Sequence, residues 1–190
     1  MKKIIIPLIA GIILRLAFMP FTSHPDIRGH YLGAYFITYK NSLLSVYDYI
    51  SQLPRTDPLV RLYGDDFLVY SPLTYISHAG FLKVLSPILP LQLFEKMEVD
   101  IGLASHDPQF PFLIFLLKLP YLFVDLGILW LLLRLVDPKF KHLTTVLWAF
   151  NLPMIYSAFL IGQFDVLMVF FIVVSLVYAH RKQYSLAAIF

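Results

Sequence analysis

The longest apolar stretch of the chain sets the strongest limit on its fold. It runs from Leu143 to Ala179, and its polar break is Gly162-Gln163-Phe164-Asp165. A helix needs about 20 residues to cross the ~30 Å hydrocarbon core of a bilayer, so this stretch is nearly two crossings long. A bare carboxylate at the centre of a bilayer costs about 3 kcal/mol or more. The sequence therefore predicts that the chain folds back on itself at residues 162–165.

The composition indicates an integral membrane protein. Hydrophobic residues make up 59% of the chain and charged residues 14%, with a mean hydropathy of +0.74, whereas a soluble domain is nearer half apolar and a quarter charged. Basic residues flank the apolar runs, so nucleic acid is not an expected partner. The chain has no cysteine, which excludes disulfides and cysteine-based metal or redox sites. We expect an all-α, polytopic bundle.

Four runs are long enough to cross a membrane as helices. They cover about residues 4–21, 111–135, 142–161 and 165–180, and a further, incomplete span is expected from 184. Arg15 interrupts the first run and no small-residue cleavage motif follows it, so this run is interpreted as a retained span rather than a signal peptide. Residues 1–190 are then the N-terminal part of one transmembrane module.

The basic residues predict the topology. They cluster at Lys2 and Lys3, at Lys139 and Lys141, and at Arg181 and Lys182. Residues 22–109 instead carry six Lys or Arg against nine Asp or Glu. We therefore expect a cytoplasmic N-terminus, with the 22–109 loop and the 162–165 turn on the outer face. The membrane would be the cell membrane of a prokaryote or the endoplasmic reticulum of a eukaryote.

The large outer loop is expected to contain helices that lie in the membrane interface. Residues 71–90 include His78, Lys83 and three prolines, which suit an interfacial helix better than a span. Residues 28–40 are similarly mixed and aromatic.

Asp26 is the first candidate for chemistry. It follows Pro25 at the start of a helix-like stretch, where it could cap the helix N-terminus. Alternatively it is a general base that takes a proton from an incoming hydroxyl at the membrane surface. His24 and His30 lie close enough in sequence to suggest a divalent metal site with Asp26, although this grouping does not specify a metal.

Two further segments carry polar groups. Asp65 and Asp66 precede Tyr70 and Tyr75 in a stretch that is also typical of a turn leading into an amphipathic helix. Lys118 and Asp125 share one face of the second span, about 10 Å apart along the axis. Lys118 can snorkel towards the interface, whereas Asp125 near mid-span is either functional or satisfied by hydrogen bonds between helices.

Taken in order, these segments resemble the GT-C superfamily of membrane glycosyltransferases, in particular those that extend lipid-linked oligosaccharides and their prokaryotic relatives. The matching elements are the early acidic residue Asp26, the motif Tyr70-Ser71-Pro72-Leu73-Thr74-Tyr75, the pair Lys118 and Asp125, and the turn Gly162-Gln163-Phe164-Asp165. Ser71 stands where the family motif usually has a proline.

The resemblance implies a hexosyltransferase, such as a mannosyltransferase or glucosyltransferase. The donor would be a polyprenyl- or dolichyl-phosphate sugar and the acceptor a glycan, a lipid-linked sugar or a protein, with inversion at the sugar. Asp26 would be the catalytic base, and no metal or other cofactor is expected to be required. The resemblance implies substrate-binding roles for Arg28, His30, Tyr70, Tyr75, Lys83, Lys118, Asp125, Gln163 and Asp165.

Two other classes of function remain open at this point. An ion-coupled transporter would use Asp125, Asp165 and Lys118 as an intramembrane relay, but the chain shows no internal repeat. A non-catalytic membrane scaffold subunit would use the polar residues only for packing, and replacement of Asp26 would then affect nothing but stability.

Overall fold

The structure, a computed structural model, describes residues 2–64 and 68–190, and all regular elements within them are helices. The expected all-α class is therefore confirmed for this part of the chain. Asp65 and Asp66 lie outside the described residues. The α-helices are α1 (Lys2–Phe18), α2 (Pro25–Lys40), α3 (Pro58–Tyr63), α4 (Pro72–Leu85), α5 (Leu91–Val99), α6 (Ile101–Ser105), α7 (Phe110–Leu135), α8 (Lys141–Ala149), α9 (Leu152–Met154), α10 (Asp165–His180) and α11 (Tyr184–Ala187).

The helices divide between two compact units. Unit 1 comprises Met1–Ser23 and Lys118–Phe190, and unit 2 comprises His24–Leu117. Short 3₁₀ turns cover Ile50–Gln52 and Pro138–Phe140, and a π-helix covers Ile155–Ile161.

Among the described residues, two helical stretches are long and apolar enough to cross a membrane. They are Phe110–Leu135 and Pro138–Ile161. Only 33% of the most apolar window of Pro138–Ile161 is buried, so most of its side chains face outward. Helix α10 is apolar but has 16 residues, and α1 has 17. Helices α1, α7 and α10 lie close to three of the predicted runs, and four membrane crossings stay a prediction.

The predicted run 142–161 is not one continuous helix. Helix α8 ends at Ala149, and Asn151 accepts a hydrogen bond from the Met154 N–H at 3.3 Å to start the next segment. Pro153 has no N–H to continue the ladder of α8, so the break falls where the sequence cannot complete it. The chain then continues into the π-helix. The break leaves backbone carbonyls at the end of α8 that need other donors.

The predicted turn at residues 162–165 is confirmed. Gly162 ends the π-helix with a φ of 85°, a left-handed conformation that glycine adopts without a steric cost. The Gln163 N–H donates to the Ser157 carbonyl at 2.8 Å, which closes the end of the π-helix. Asp165 then lies in the first turn of α10, where a negative charge is favoured by the helix dipole.

In unit 2, α2 packs against α4. The predicted segments 28–40 and 71–90 therefore do contain helices, and their position in a membrane interface stays a prediction. Tyr75 on α4 is fully buried, and its ring lies against Gly33 on α2. The opposite side of α4 exposes Leu73 and Val84, at 56% and 78%.

We expect Gly33→Ala to destabilise unit 2 by about 1–3 kcal/mol. A Cβ atom at position 33 would overlap the Tyr75 ring, at 2.7 Å from its Cε1, and this buried ring cannot move aside freely. Gly80→Ala is the matched control, because no atom lies within 4 Å of the place that its Cβ would take and alanine favours a helix by up to about 1 kcal/mol. Chemical unfolding of both variants would measure the difference, and equal stability of the two would contradict the close approach.

Candidate functional site

The N-terminus of α2 begins the candidate site in unit 2. Pro25 occupies the first helical turn, and His24 is the N-cap, with extended backbone at φ −83° and ψ 150°. The capping role that the sequence suggested for Asp26 is therefore wrong. Proline is favoured as the first residue inside a helix, so the cap is the residue before it. The carboxylate of Asp26 is left available for other contacts.

His24 and Asp26 contact each other through one ring nitrogen. The His24 Nδ1 lies 3.2 Å from the Asp26 backbone nitrogen and 3.2 Å from Asp26 Oδ2. An unprotonated Nδ1 accepts the backbone N–H, whereas a protonated one donates to the carboxylate. The Asp26 side chain is 31% exposed, so solvent or a substrate hydroxyl can reach it.

Tyr70 adds a second contact to Asp26. Its hydroxyl donates a hydrogen bond to the Asp26 carboxylate, and burial together with this bond raises the pKa of Tyr70 to about 12. Its backbone is held on both sides: the Tyr70 N–H donates to the Tyr75 hydroxyl at 3.1 Å, and the Tyr47 hydroxyl donates to the Tyr70 carbonyl at 2.6 Å. Tyr75 thus positions Tyr70 through its backbone. The structure thus brings Tyr70 to Asp26 and Tyr75 to Tyr70, and the roles of these residues in binding a substrate stay predictions.

Two buried histidines, His30 and His78, lie behind Tyr70. The His30 and Tyr70 rings meet edge-on at 4.2 Å between centroids, and the His30 and His78 rings lie 5.1 Å apart. The His78 Nδ1 lies 2.7 Å from the Thr74 carbonyl, so this nitrogen carries the proton. Burial, reinforced by the neighbouring histidines, lowers the pKa of His30 to about 3, and burial lowers the pKa of His78 to about 4. Both rings are neutral at pH 7.

The position of His78 in this site was missed by the sequence analysis. It lies four residues after Thr74 on α4, and both side chains are on the buried face of the helix. That i, i+4 spacing is the signal that could have found it.

Arg28 does not join Asp26. One of its terminal nitrogens donates to the Tyr63 hydroxyl at 2.5 Å and to the Glu98 backbone carbonyl at 3.0 Å. Residues two apart on a helix point to different sides, which separates Arg28 from Asp26. Glu98 itself is 2% exposed and was missed by the sequence analysis.

Lys83 is also separate from Asp26 and Tyr70. It is exposed near the C-terminal end of α4, eleven residues after Pro72, or about 16 Å along the helix axis. Its predicted role in binding a substrate is not tested by this position.

In unit 1, Asp125 pairs with Arg15 rather than with Lys118. The Arg15 Nε donates to Asp125 Oδ2 at 2.6 Å, and both side chains are almost fully buried. The Arg15 guanidinium also donates to the carbonyls of Trp148 and Ala149, at 2.7 and 3.2 Å, where α8 breaks. Its Cζ stands 3.9 Å from the centre of the Trp148 ring. Asp125 is therefore bonded between helices, and its role in binding a substrate stays a prediction.

Lys118 does not snorkel, because its side chain is fully buried. Its ammonium donates to backbone carbonyls of Met19 at 3.0 Å, Phe159 at 3.2 Å and Leu160 at 2.6 Å, and also to the carbonyl of Thr22. These carbonyls follow α1 or lie at the end of the π-helix, where helix dipoles favour a cation. If Lys118 binds a phosphate, its ammonium must therefore give up at least one of these carbonyl contacts.

Gln163 and Asp165 lie at the turn in unit 1. Gln163 is partly exposed and Asp165 is exposed, so both can contact a ligand. That they share a cavity with Asp26 stays a prediction.

No group of three or more histidine or acidic side chains within residues 2–64 and 68–190 is arranged to hold a metal ion. His24 and Asp26 do contact each other, whereas the His30 ring is packed against Tyr70 and His78. Whether a divalent metal takes part stays open to experiment.

The arrangement in unit 2 can accept a proton at a defined place. A partly exposed carboxylate is oriented by a tyrosine hydroxyl, and two neutral, buried imidazoles lie behind that tyrosine. Comparison of the chain with models of protein families, with curated proteins and with solved structures gives no match. The function is therefore argued from this site and from the sequence.

Proposed function

We propose that the protein is a membrane hexosyltransferase that uses a polyprenyl- or dolichyl-phosphate sugar. The observation that carries the proposal is the Asp26 carboxylate, which is oriented by the Tyr70 hydroxyl, is partly exposed and has no capping role. A carboxylate has about four lone-pair sites, so these contacts leave it able to accept a substrate hydroxyl.

In the proposed reaction, an acceptor hydroxyl attacks C1 of the donor sugar. The bond from the acceptor oxygen to C1 forms while the bond from C1 to the phosphate oxygen breaks. The leaving polyprenyl phosphate keeps the electron pair, and the hydroxyl proton passes to Asp26 and then to solvent. Attack on the face opposite the phosphate inverts the sugar. The leaving phosphate is already anionic, so cationic groups serve it better than an acid, and Lys83, Lys118 and Arg28 stay candidates for that role.

The exposed apolar surface supports a membrane location. Two helical stretches have the length and composition of spans. In Pro138–Ile161 four large apolar side chains of leucine or phenylalanine are exposed beyond half, namely Leu143, Leu147, Phe150 and Leu152. Exposed apolar surface of this extent is stable in hydrocarbon and costly in water. The proposal places the N-terminus in the cytoplasm, with a multi-pass chain and the Asp26 site on the outer face.

The contacts of the buried charges weigh against an ion-coupled transporter. Such a relay would need Asp125 and Lys118 to exchange protons, but Asp125 is neutralised by Arg15 and Lys118 is held by backbone carbonyls. A proton relay through this pair would have to break these contacts at each transfer, and an unpaired buried charge is costly.

The test is sugar transfer in membranes from cells that express the full-length protein. A panel of radiolabelled polyprenyl-phosphate sugars would be offered with endogenous acceptors, and membranes without the protein are the control. Transfer from one donor above the control supports the proposal. Transfer from nucleotide sugars alone, or from no donor, would overturn it.

A further inference from the structure

Unit 2 contains a cavity that the Asp26 chemistry does not use. It is a cavity of about 300 Å³, at the lower end of the range for small-molecule sites. Its aromatic wall is formed by Tyr35, Phe36, Tyr49 and Phe94. The rings of Phe36 and Tyr49 lie 4.3 Å apart and those of Tyr35 and Phe94 lie 5.8 Å apart, so the wall is packed in place before any ligand binds.

The polar lining of this cavity is mainly acidic. Asp57, Glu95 and Glu98 all line it, and Lys40 is the one cation among its described lining residues. Glu95 Oε1 accepts a hydrogen bond from the Tyr35 hydroxyl at 2.5 Å. Glu95 and Glu98 are three residues apart on α5 and therefore lie on neighbouring positions of one helix face.

Glu98 is the residue that points to a ligand. Its side chain is almost completely buried, yet its Oε1 atom has no hydrogen-bond partner among the described residues. Its Oε2 atom accepts a long hydrogen bond from Tyr63, at 3.3 Å. A buried carboxylate oxygen without a donor is costly, and native proteins normally satisfy such atoms. A donor from a bound molecule in the cavity would satisfy it.

We propose that this cavity binds an aliphatic amine, whose ammonium group donates to Glu98 Oε1 while its methylene chain packs on the aromatic wall. Asp57 and Glu95 favour an ammonium over a neutral polyol in this cavity, and an ammonium can also pair with Glu98 once that carboxyl group gives up its proton. Aromatic faces also attract cations directly. The site is independent of the proposed sugar transfer.

The titration of Glu98 makes the proposal measurable by pH. Burial raises the pKa of Glu98 to about 8, although Arg28 and the Tyr63 hydroxyl oppose this shift. The other charged or titratable groups around the cavity are Tyr35 and Lys40 on α2, Asp57 at the start of α3, Tyr49, and Glu95 on α5. Because an ammonium binds the ionised carboxylate, the amine must displace the proton of Glu98 at neutral pH. Affinity should therefore fall as the pH drops below 8 and level off above it, up to the pKa of the amine near 10.

The experiment is calorimetric titration of the purified full-length protein with 1,4-diaminobutane at pH 6, 7, 8 and 9. 1,4-Butanediol is the neutral control of the same chain length. We expect the diamine to bind and the diol not to bind, with an affinity that falls roughly tenfold per pH unit below 8. Equal binding of the two compounds, or a wild-type affinity that does not change with pH, would overturn the proposal.

Glu98→Gln is the decisive variant, since it keeps the shape and removes the charge. We expect it to weaken diamine binding at least about tenfold and to abolish the pH dependence. Asp48→Asn, which changes an exposed carboxylate outside the cavity, should bind as the wild type does. If Glu98→Gln does not fold, as judged by its helical circular dichroism, the wild-type pH series and the diol control still decide the outcome.

A competition experiment separates two sources of the amine. Both a soluble amine and the aminoethyl headgroup of phosphatidylethanolamine carry the required ammonium group. Displacement of diaminobutane by dihexanoyl phosphatidylethanolamine, but not by the phosphatidylcholine analogue, would identify the headgroup. Displacement by neither would identify a free amine, and both results support the ammonium site.

Discussion

Asp26→Asn is expected to lower the rate of sugar transfer by about 10²–10⁴-fold, the contribution that a positioned general base makes. Asparagine keeps the size of the side chain and can still contact Tyr70, but an amide cannot take up the proton of the acceptor hydroxyl. The stability of the protein should not change, because the cap of α2 is His24. The measurement is initial transfer rate at saturating donor, with the protein level determined on the same membranes.

Tyr70→Phe is a second variant, for which we expect a smaller loss of rate than for Asp26→Asn. It removes the hydrogen bond that orients Asp26 but leaves the carboxylate, so we expect a loss of about tenfold, near the net value of one such bond. Equal transfer by Asp26→Asn and the wild type would remove Asp26 from the chemistry. A loss of stability without a specific loss of rate would favour the scaffold alternative.

Arg15→Met and Asp125→Leu are each expected to destabilise the protein by about 3–5 kcal/mol. Either change leaves one charge buried without its partner at the contact now 2.6 Å long. The cost is large relative to the 5–15 kcal/mol that stabilise a typical fold. Unfolding in detergent micelles, followed by helical circular dichroism, would measure it.

The double variant distinguishes an ion pair from two independent contacts. Arg15→Met with Asp125→Leu removes both charges, so its cost should be well below the sum of the single costs. A cost of about 1–3 kcal/mol should remain, because the carbonyls of Trp148 and Ala149 lose the guanidinium that they bind. Strictly additive costs would show that the pair carries no coupling.

Several local features were predictable because they depend on neighbouring residues alone. The turn at Gly162 follows from an apolar run too long for one helix and from a glycine that can adopt positive φ. The cap of α2 was also readable, since Pro25 marks the first helical turn and so identifies His24 as the cap. Asp26, one residue inside that proline, is therefore too far along the helix to be the cap, which was one of its two predicted roles.

The burial of Glu98 could have been predicted from the spacing of apolar residues in α5, but it was not. It follows Phe94 by four residues on α5, and both lie on the buried face of that helix. A charge at a core position of an amphipathic pattern needs a partner or a function. The neighbouring Glu95 and Lys96 are exposed, so charge alone does not distinguish Glu98 from a solvated side chain.

By itself the sequence determined the helical class, the approximate bounds of α1, α7 and α10 and the turn at residues 162–165, because periodicity, length and turn chemistry act over short distances. Only the tertiary structure decided which buried charges meet. Asp125 needed a cation, but Arg15 is 110 residues away in sequence and Lys118 only seven, and the nearer one is bound elsewhere. The choice depends on how helices pack, since burial makes each charge bond to whatever donor or acceptor the packing brings within reach.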